Sequence, residues 1–295
     1  MLDRLPHGAR VLILRLRSLG DCVLTTPALQ LLREHRPDFD VRVMVDAPFR
    51  EVFDELAMAP TLVNAVRFRP HLTVNFHGGT RSMRLMAASL ARHRAGFGHH
   101  SGAWLYNIRI PKAQEILGVE RKVHTAEHLA SAMFYLGVPR REIPRASLRA
   151  AAPEPRPPYA VLHPFAATRE KTWPAERFVQ LARQLRREHG LEAHIIGAAA
   201  DDFTAFEEFP VHRGTPLSEI KSLLSRAELF IGNDSGPAHM AAAFGVPVLV
   251  FFGPSDPVVW APWRTEHEQL TAQGDCAEIT YERAAAALAR LAARA

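Results

Sequence analysis

Past the proline-dense segment RAAAPEPRPP at 149–158, the pattern of this sequence starts over. On each side of that segment short apolar runs alternate with stretches whose apolar residues recur every three to four positions, the periods of strand and helix. In the first half, RVLILRL (strand over Val11 to Leu16) leads into a helical pattern from about Asp21 to His35. DVRVMVDA then reads as a strand, FREVFDELA as a helix, LTVNFHGG as a strand and TRSMRLMAASLARH as a helix. The second half repeats the scheme. YAVLHPF, EAHIIGA, ELFIGND and PVLVFFG read as strands, and AERFVQLARQLRREHG, PLSEIKSLLSRA, GPAHMAAAFG and YERAAAALARLAARA as helices. Such alternation predicts an α/β protein with parallel sheets covered on both faces. The non-periodic, proline-rich segment predicts a linker between residues 1–150 and 151–295. Two Rossmann-like domains so joined would place a cleft between the carboxyl ends of their sheets.

The 295 residues suit two domains of ordinary size, and a composition 47% hydrophobic and 23% charged is that of a globular protein. There is no short-period repeat or low-complexity tract. No apolar run approaches the roughly 20 residues that span a bilayer, and the opening MLDRLPHGAR has no apolar signal core. Cys22 and Cys276 are the only cysteines, which argues against a disulfide framework or a cysteine-built zinc site. A cytoplasmic location is expected. The charge is uneven: residues 1–150 hold 22 Lys and Arg against 13 Asp and Glu, and residues 151–295 hold 14 against 18. The basic half suggests an anionic partner, although an arginine-rich composition with a solvated surface accounts for the same excess.

Three segments carry residues suited to chemistry. In IGNDSGPAHMAAAFG the strand ends at a turn that opens a helix, whose free amides and dipole favour an anion such as phosphate. Gly232 and Gly236 would let the backbone approach a ligand closely, and Ser235 adds a hydroxyl. Asp234 would repel a phosphate and makes sense facing hydroxyls, as a sugar beside a diphosphate supplies; alternatively, Asp234 or Ser235 simply caps the helix. In HPFAATREKTWPAERF, Thr168, Arg169 and Lys171 fall in a loop at a carboxyl edge. Lys171 is one of only four lysines, suited to neutralising a diphosphate leaving group or no more than a solvated loop residue. In SLGDCVLTTPAL, Asp21 sits in the first helical turn, as a cap or as a carboxylate able to take a proton from an acceptor hydroxyl.

Other candidates are weaker. His93 with His99 and His100 lacks diagnostic metal spacing. Ala200-Asp201-Asp202 lacks the D-x-D form that holds a nucleotide through a divalent cation, and His124 and His128, four apart, suggest an exposed or interface helix face. No G-x-G-x-x-G follows the first strand and no G-x-x-x-x-G-K-[ST] occurs, which weighs against nicotinamide cofactors and P-loop chemistry.

Three stretches together resemble glycosyltransferase family 9, the ADP-heptose:lipopolysaccharide heptosyltransferases: ILRLRSLGDCVLTTPALQLLREHRP, LHPFAATREKTWPAERFVQLARQL and LFIGNDSGPAHMAAAFGVPVLVFFGPSDPVVWAPW. The resemblance covers most of the chain, less closely between about 60 and 150. It implies a GT-B fold, with the N-terminal domain binding the acceptor and the C-terminal domain the nucleotide-sugar, and an inverting transfer of heptose from ADP-heptose that needs no metal or other cofactor. Asp21 resembles the catalytic base and Lys171 the lysine that stabilises the diphosphate. Asp234 resembles an aspartate near the donor sugar, Ser235, Gly236 and His239 match the segment around the diphosphate, and Thr168 would contact a phosphate. The adenine would lie near Gly197 and Gly214. The acceptor would be an anionic glycolipid, reached by peripheral contact with the cytoplasmic face of the inner membrane, with no nucleic acid involved. Members differ in sugar and acceptor, so another nucleotide-sugar remains open, as do a nucleotide-sugar epimerase and a non-catalytic nucleotide-sugar-binding protein.

Overall fold

The computed structural model describes residues 1–151 and 157–294; residues 152–156, within the segment expected to be a linker, lie outside the described residues. The chain forms two compact units, Met1–Ala146 and Ser147–Ala295.

The first unit contains strands β1 (Arg10–Leu14), β2 (Asp40–Met44), β3 (Ala57–Met58), β4 (Leu72–Asn75), β5 (His93–Phe97) and β6 (Ile108–Ile110). Its helices are α1 (Leu19–His35), α2 (Leu62–Phe68), α3 (Thr80–Ala88), α4 (Ala113–Leu117) and α5 (Thr125–Leu136). The strands pair in the order β3-β2-β1-β4-β5-β6, all parallel. In the central β1, Val11 to Leu14 are all buried, the continuous apolar run that a sheet covered on both faces demands.

The second unit contains β7 (Tyr159–His163), β8 (Glu192–Gly197), β9 (Val211–Arg213), β10 (Leu229–Asn233), β11 (Val248–Phe252) and β12 (His267–Thr271). Around them lie α6 (Ala175–Gln184), α7 (Leu217–Leu224), α8 (Gly236–Phe244), α9 (Pro257–Trp260) and α10 (Tyr281–Ala292). Its sheet, β12-β11-β10-β7-β8-β9, is also parallel throughout. Counted from each unit's own first strand, both sheets have the same doubly wound order. Each therefore reverses direction once, between β1 and β4 and between β7 and β10, and ligands of such sheets bind outside the carboxyl ends at that point.

The sequence reading needs correction at 49–57. Instead of an α-helix there are two 3-10 turns, Ala47–Val52 and Asp54–Leu56, followed by β3. Pro48 starts the first turn, adjacent Val52 and Phe53 are both buried, and Asp54 takes a φ of 45°, so no single helical face forms. The helix expected to run to Gly190 leaves α geometry at Leu185 for one π turn, Leu185–His189. Strands β5, β6, β9 and β12 were not read from the sequence. The last two are the edge strands of their sheet and are only partly buried, so polar residues interrupt their apolar pattern.

One packing group fixes the second switch point. Trp173 is fully buried, stacks on Phe251 with ring centroids 4.3 Å apart, and donates from Nε1 to the Ile279 carbonyl at 2.7 Å. Its backbone N–H donates to Asn233 Oδ1 at 2.9 Å, tying the loop after β7 to the end of β10. Truncating such a buried aromatic to alanine costs about 3–5 kcal/mol.

Candidate active site

In the second unit, β7 leads into the loop carrying Thr168 and Lys171, and β10 leads through Asp234 and Ser235 into α8. Thr168 is exposed and caps a 3-10 turn, Arg169–Lys171. That turn passes so close to the end of β11 that a Cβ on Gly253 would lie 2.2 Å from the Glu170 carbonyl oxygen. Only glycine at 253 leaves the turn room, and this holds Lys171 over the neighbouring strand ends. Lys171 Nζ then meets Asp234 Oδ2 at 3.1 Å, with the side chains 32% and 10% exposed. The pair resolves the anomaly of a carboxylate at an anion-favouring helix start, because the lysine offsets the charge of the aspartate.

Ser235 is the N-cap residue of α8, and its side chain makes no hydrogen bond to the helix. Capping therefore does not explain it. Its hydroxyl lies instead 3.0 Å from His163 Nδ1, at the end of β7. Burial pushes the His163 imidazole down to about 4, so it is neutral near pH 7. Gly236, at the first helical position, is half-buried, and α8 follows with buried small residues. His239 lies a turn further in, 4% exposed, with its ring 6.3 Å from that of Trp260. Gly232 does not serve ligand approach: a Cβ there would sit 2.8 Å from the Phe230 ring and 3.1 Å from the His163 carbonyl, so its smallness is used within the sheet. Gly197 and Gly214 end neighbouring strands, with the Gly214 N–H donating to the Gly197 carbonyl at 2.8 Å. Beside them Arg213 lies 4.4 Å over the Phe203 ring.

In the first unit, β1 leads through Arg15 to α1, where Ser18 is the N-cap and Asp21 the third helical residue. Asp21 is thus part of a capping box, but it is also held from the strand: Arg15 Nη1 donates to Oδ1 at 3.1 Å, and Ser18 Oγ donates to Oδ2 at 3.1 Å. Arg15 is 6% exposed, and its Nε is buried without a hydrogen-bond partner among the described residues. Burial draws the guanidinium below its ordinary pKa, opposed by the charge of Asp21. His77, after β4, is half-buried and also lowered, by burial first and then by Arg15 and Arg17. Arg15, His77 and His163 were not singled out in the sequence; each lies at or just after the end of a strand, a signal legible only once the strand order is known.

Of the remaining histidines, His99 packs against His100 and His128, with ring centroids 5.0 and 5.7 Å away. His93 begins β5, whereas His99 and His100 follow its end. His124 and His128 do not present an exposed face: His124 is 5% exposed and accepts the Ala126 N–H as the N-cap of α5, and His128 stacks on Phe97 with centroids 3.8 Å apart. Asp201 and Asp202 accept hydrogen bonds from Ala198 N and Thr204 N within their own loop. Among the described residues, no group of three or more His, Cys, Asp or Glu side chains is placed to hold a metal ion, and no helix is long and apolar enough to cross a membrane.

Two doubly wound units, each with ionisable side chains at the switch point of its parallel sheet, make up the architecture of the GT-B fold class. Residues 72–286 match glycosyltransferase family 9 (heptosyltransferase), and the chain belongs to that family. It is 25% identical to lipopolysaccharide heptosyltransferase 3 of Escherichia coli K12, over 84% of this chain and 83% of that protein. Its fold is similar to a glycosyl transferase family 9 structure from Veillonella parvula, at a TM-score of 0.85 and 20% identity, covering 98% of each chain. It is also similar to the E. coli heptosyltransferase WaaC solved with ADP, at a TM-score of 0.77 and 18% identity, covering 96% of this chain and 99% of that one. The chain is therefore a glycosyltransferase, as its motifs suggested.

Proposed function

We propose that this enzyme transfers heptose from ADP-heptose, with inversion and without a metal, to a hydroxyl of an anionic lipopolysaccharide-core acceptor. The residues 1–150 bind the acceptor and 151–295 the nucleotide-sugar. The family and the lipopolysaccharide heptosyltransferase relative support the sugar and the class of acceptor, and the relative solved with ADP supports the nucleotide. The observation that carries the reading is the Lys171–Asp234 pair, 3.1 Å apart at a sheet switch point beside a helix start without a side-chain cap.

In this mechanism Asp21 takes the proton of the acceptor hydroxyl as that oxygen attacks the anomeric carbon. The bond from that carbon to the diphosphate oxygen breaks, ADP departs with the electron pair, and one displacement inverts the centre. Lys171 meets the charge that develops on the diphosphate, so the role a divalent cation fills elsewhere is filled by an ammonium. Asp234 faces the sugar hydroxyls, and Thr168, Ser235, Gly236 and His239 hold the diphosphate, partly through the amides opening α8. Arg15 and Ser18 keep the Asp21 carboxylate oriented. The basic first half, 22 Lys and Arg against 13 Asp and Glu over residues 1–150, favours an anionic glycolipid and peripheral contact with the cytoplasmic face of the inner membrane.

Thermal-shift measurements with ADP, UDP, GDP and NAD, followed by a transfer assay with ADP-heptose and lipopolysaccharide core, test the proposal. Selective stabilisation by ADP and transfer of heptose are expected. Stabilisation by UDP in preference to ADP, or epimerised sugar as the product, would overturn it.

A further inference from the structure

His163 ends β7 in register with Gly232 of β10, so its 3.0 Å contact from Nδ1 to Ser235 Oγ spans the switch point of the second sheet. The contact holds the serine hydroxyl while the first turn of α8 keeps no side-chain cap. A second donor lies next to that turn: Asn233, the last residue of β10, is wholly buried, its Oδ1 accepts from Trp173 N, and its Nδ2 has no hydrogen-bond partner among the described residues.

A neutral imidazole carries one N–H, on either nitrogen, and a hydroxyl has one proton and two lone pairs. The contact can therefore run in either direction. A phosphate oxygen offers only lone pairs. If Ser235 is to hold a phosphate, its own proton must go there, and the hydrogen between serine and histidine must come from the histidine.

We propose that His163 is a positioning residue for the phosphate end of the donor: as the Nδ1–H tautomer it donates to Ser235 Oγ and turns the serine proton toward a phosphate oxygen. The inference rests on the donor-site reading above and adds to it a residue to which the resemblance assigned no role. The neutral state that burial imposes on the ring makes the tautomer, not the charge, the controlling variable.

The test is a calorimetric double-mutant cycle on the full chain with ADP and adenosine as ligands. His163→Phe fills the space without a donor and is expected to weaken ADP binding about tenfold, the scale of one hydrogen bond to a charged group, with adenosine affected less than twofold. His163→Asn, whose amide N–H falls near the place of Nδ1, should bind ADP within about threefold of wild type. In a Ser235→Ala background the His163→Phe effect should vanish. An undiminished effect in that background, or wild-type ADP affinity in His163→Phe, overturns the proposal. Should His163→Phe fail to fold, the imidazole 15N shifts of the ADP-saturated wild type decide: Nδ1 must read as protonated, and an unprotonated Nδ1 overturns the proposal. Wild type that binds no ADP overturns the donor-site reading itself, and this inference with it.

Discussion

Lys171 Nζ and Asp234 Oδ2 stand 3.1 Å apart and join the loop after β7 to the turn after β10. The Lys171 side chain is a third exposed and that of Asp234 a tenth, so solvent screens the pair in part; in the proposed mechanism it serves the diphosphate. Lys171→Ala is expected to weaken ADP about tenfold and to lower kcat as well, because in the proposed mechanism the ammonium acts on ground-state diphosphate and on the charge that develops in transfer. Titration calorimetry and initial rates check both. A variant that binds and turns over as wild type does would show Lys171 to be a solvated loop residue.

Asp21→Asn keeps the shape of the capping box but removes the proposed base. Transfer should fall at least a hundredfold, within the range of general-base contributions, while ADP affinity stays within twofold. Arg15→Met should lower kcat more than it raises the KM for ADP-heptose, with partial recovery in Arg15→Lys, because in the proposed mechanism Arg15, which follows β1, orients Asp21. Transfer at the normal rate by Asp21→Asn removes the proposed base.

Acid should destabilise the first unit through its histidines. His100 and His128 are each held at about 4, chiefly by burial, against about 6.5 when unfolded. The unfolded chain therefore binds more protons between those values, and the stabilising effect of keeping the rings neutral, full above pH 6.5, is lost as pH falls toward 4. Each histidine contributes a slope of at most about 1.4 kcal/mol per pH unit. Urea midpoints of wild type and His128→Phe should diverge below pH 6.5, with wild type falling faster. Parallel curves would contradict the neutral buried ring.

Binding to vesicles containing anionic phospholipid should weaken steeply as salt rises from 50 to 500 mM, because exposed arginines are screened over about one Debye length. Co-sedimentation at several ionic strengths measures it. Salt-independent binding argues for an apolar contact instead.

Transfer should continue at an unchanged rate after treatment with EDTA and passage through a chelating resin. A loss of activity restored by one divalent or iron salt would replace Lys171 with a metal as the group that meets the leaving diphosphate.

Much of the architecture was legible because buried parallel strands leave a mark that survives without context. VLIL in β1 and VLVFF in β11 are apolar at successive positions because both faces of a central strand are covered. Exposed strands carry no such mark: Val211–Arg213 and His267–Thr271 are half solvent-facing and were missed. The 49–57 segment has helical composition but was overruled by Pro48, by the φ of Asp54 and by the demand that Val52 and Phe53 be buried together.

The candidate site divides in the same way. Asp21, Lys171, Asp234 and Ser235 could be named from sequence because each lies between a strand and the helix that follows it, or in that helix's first turn, where local pattern alone announces the change. Their partners could not. Arg15 reaches Asp21 over a single turn, but Lys171 finds Asp234 across 63 positions and Ser235 finds His163 across 72. Those pairings exist because the strand order sets β7 beside β10. Local patterning is a property of neighbouring residues and is written in the chain; strand order depends on which distant apolar faces bury one another, and only the folded structure decides it.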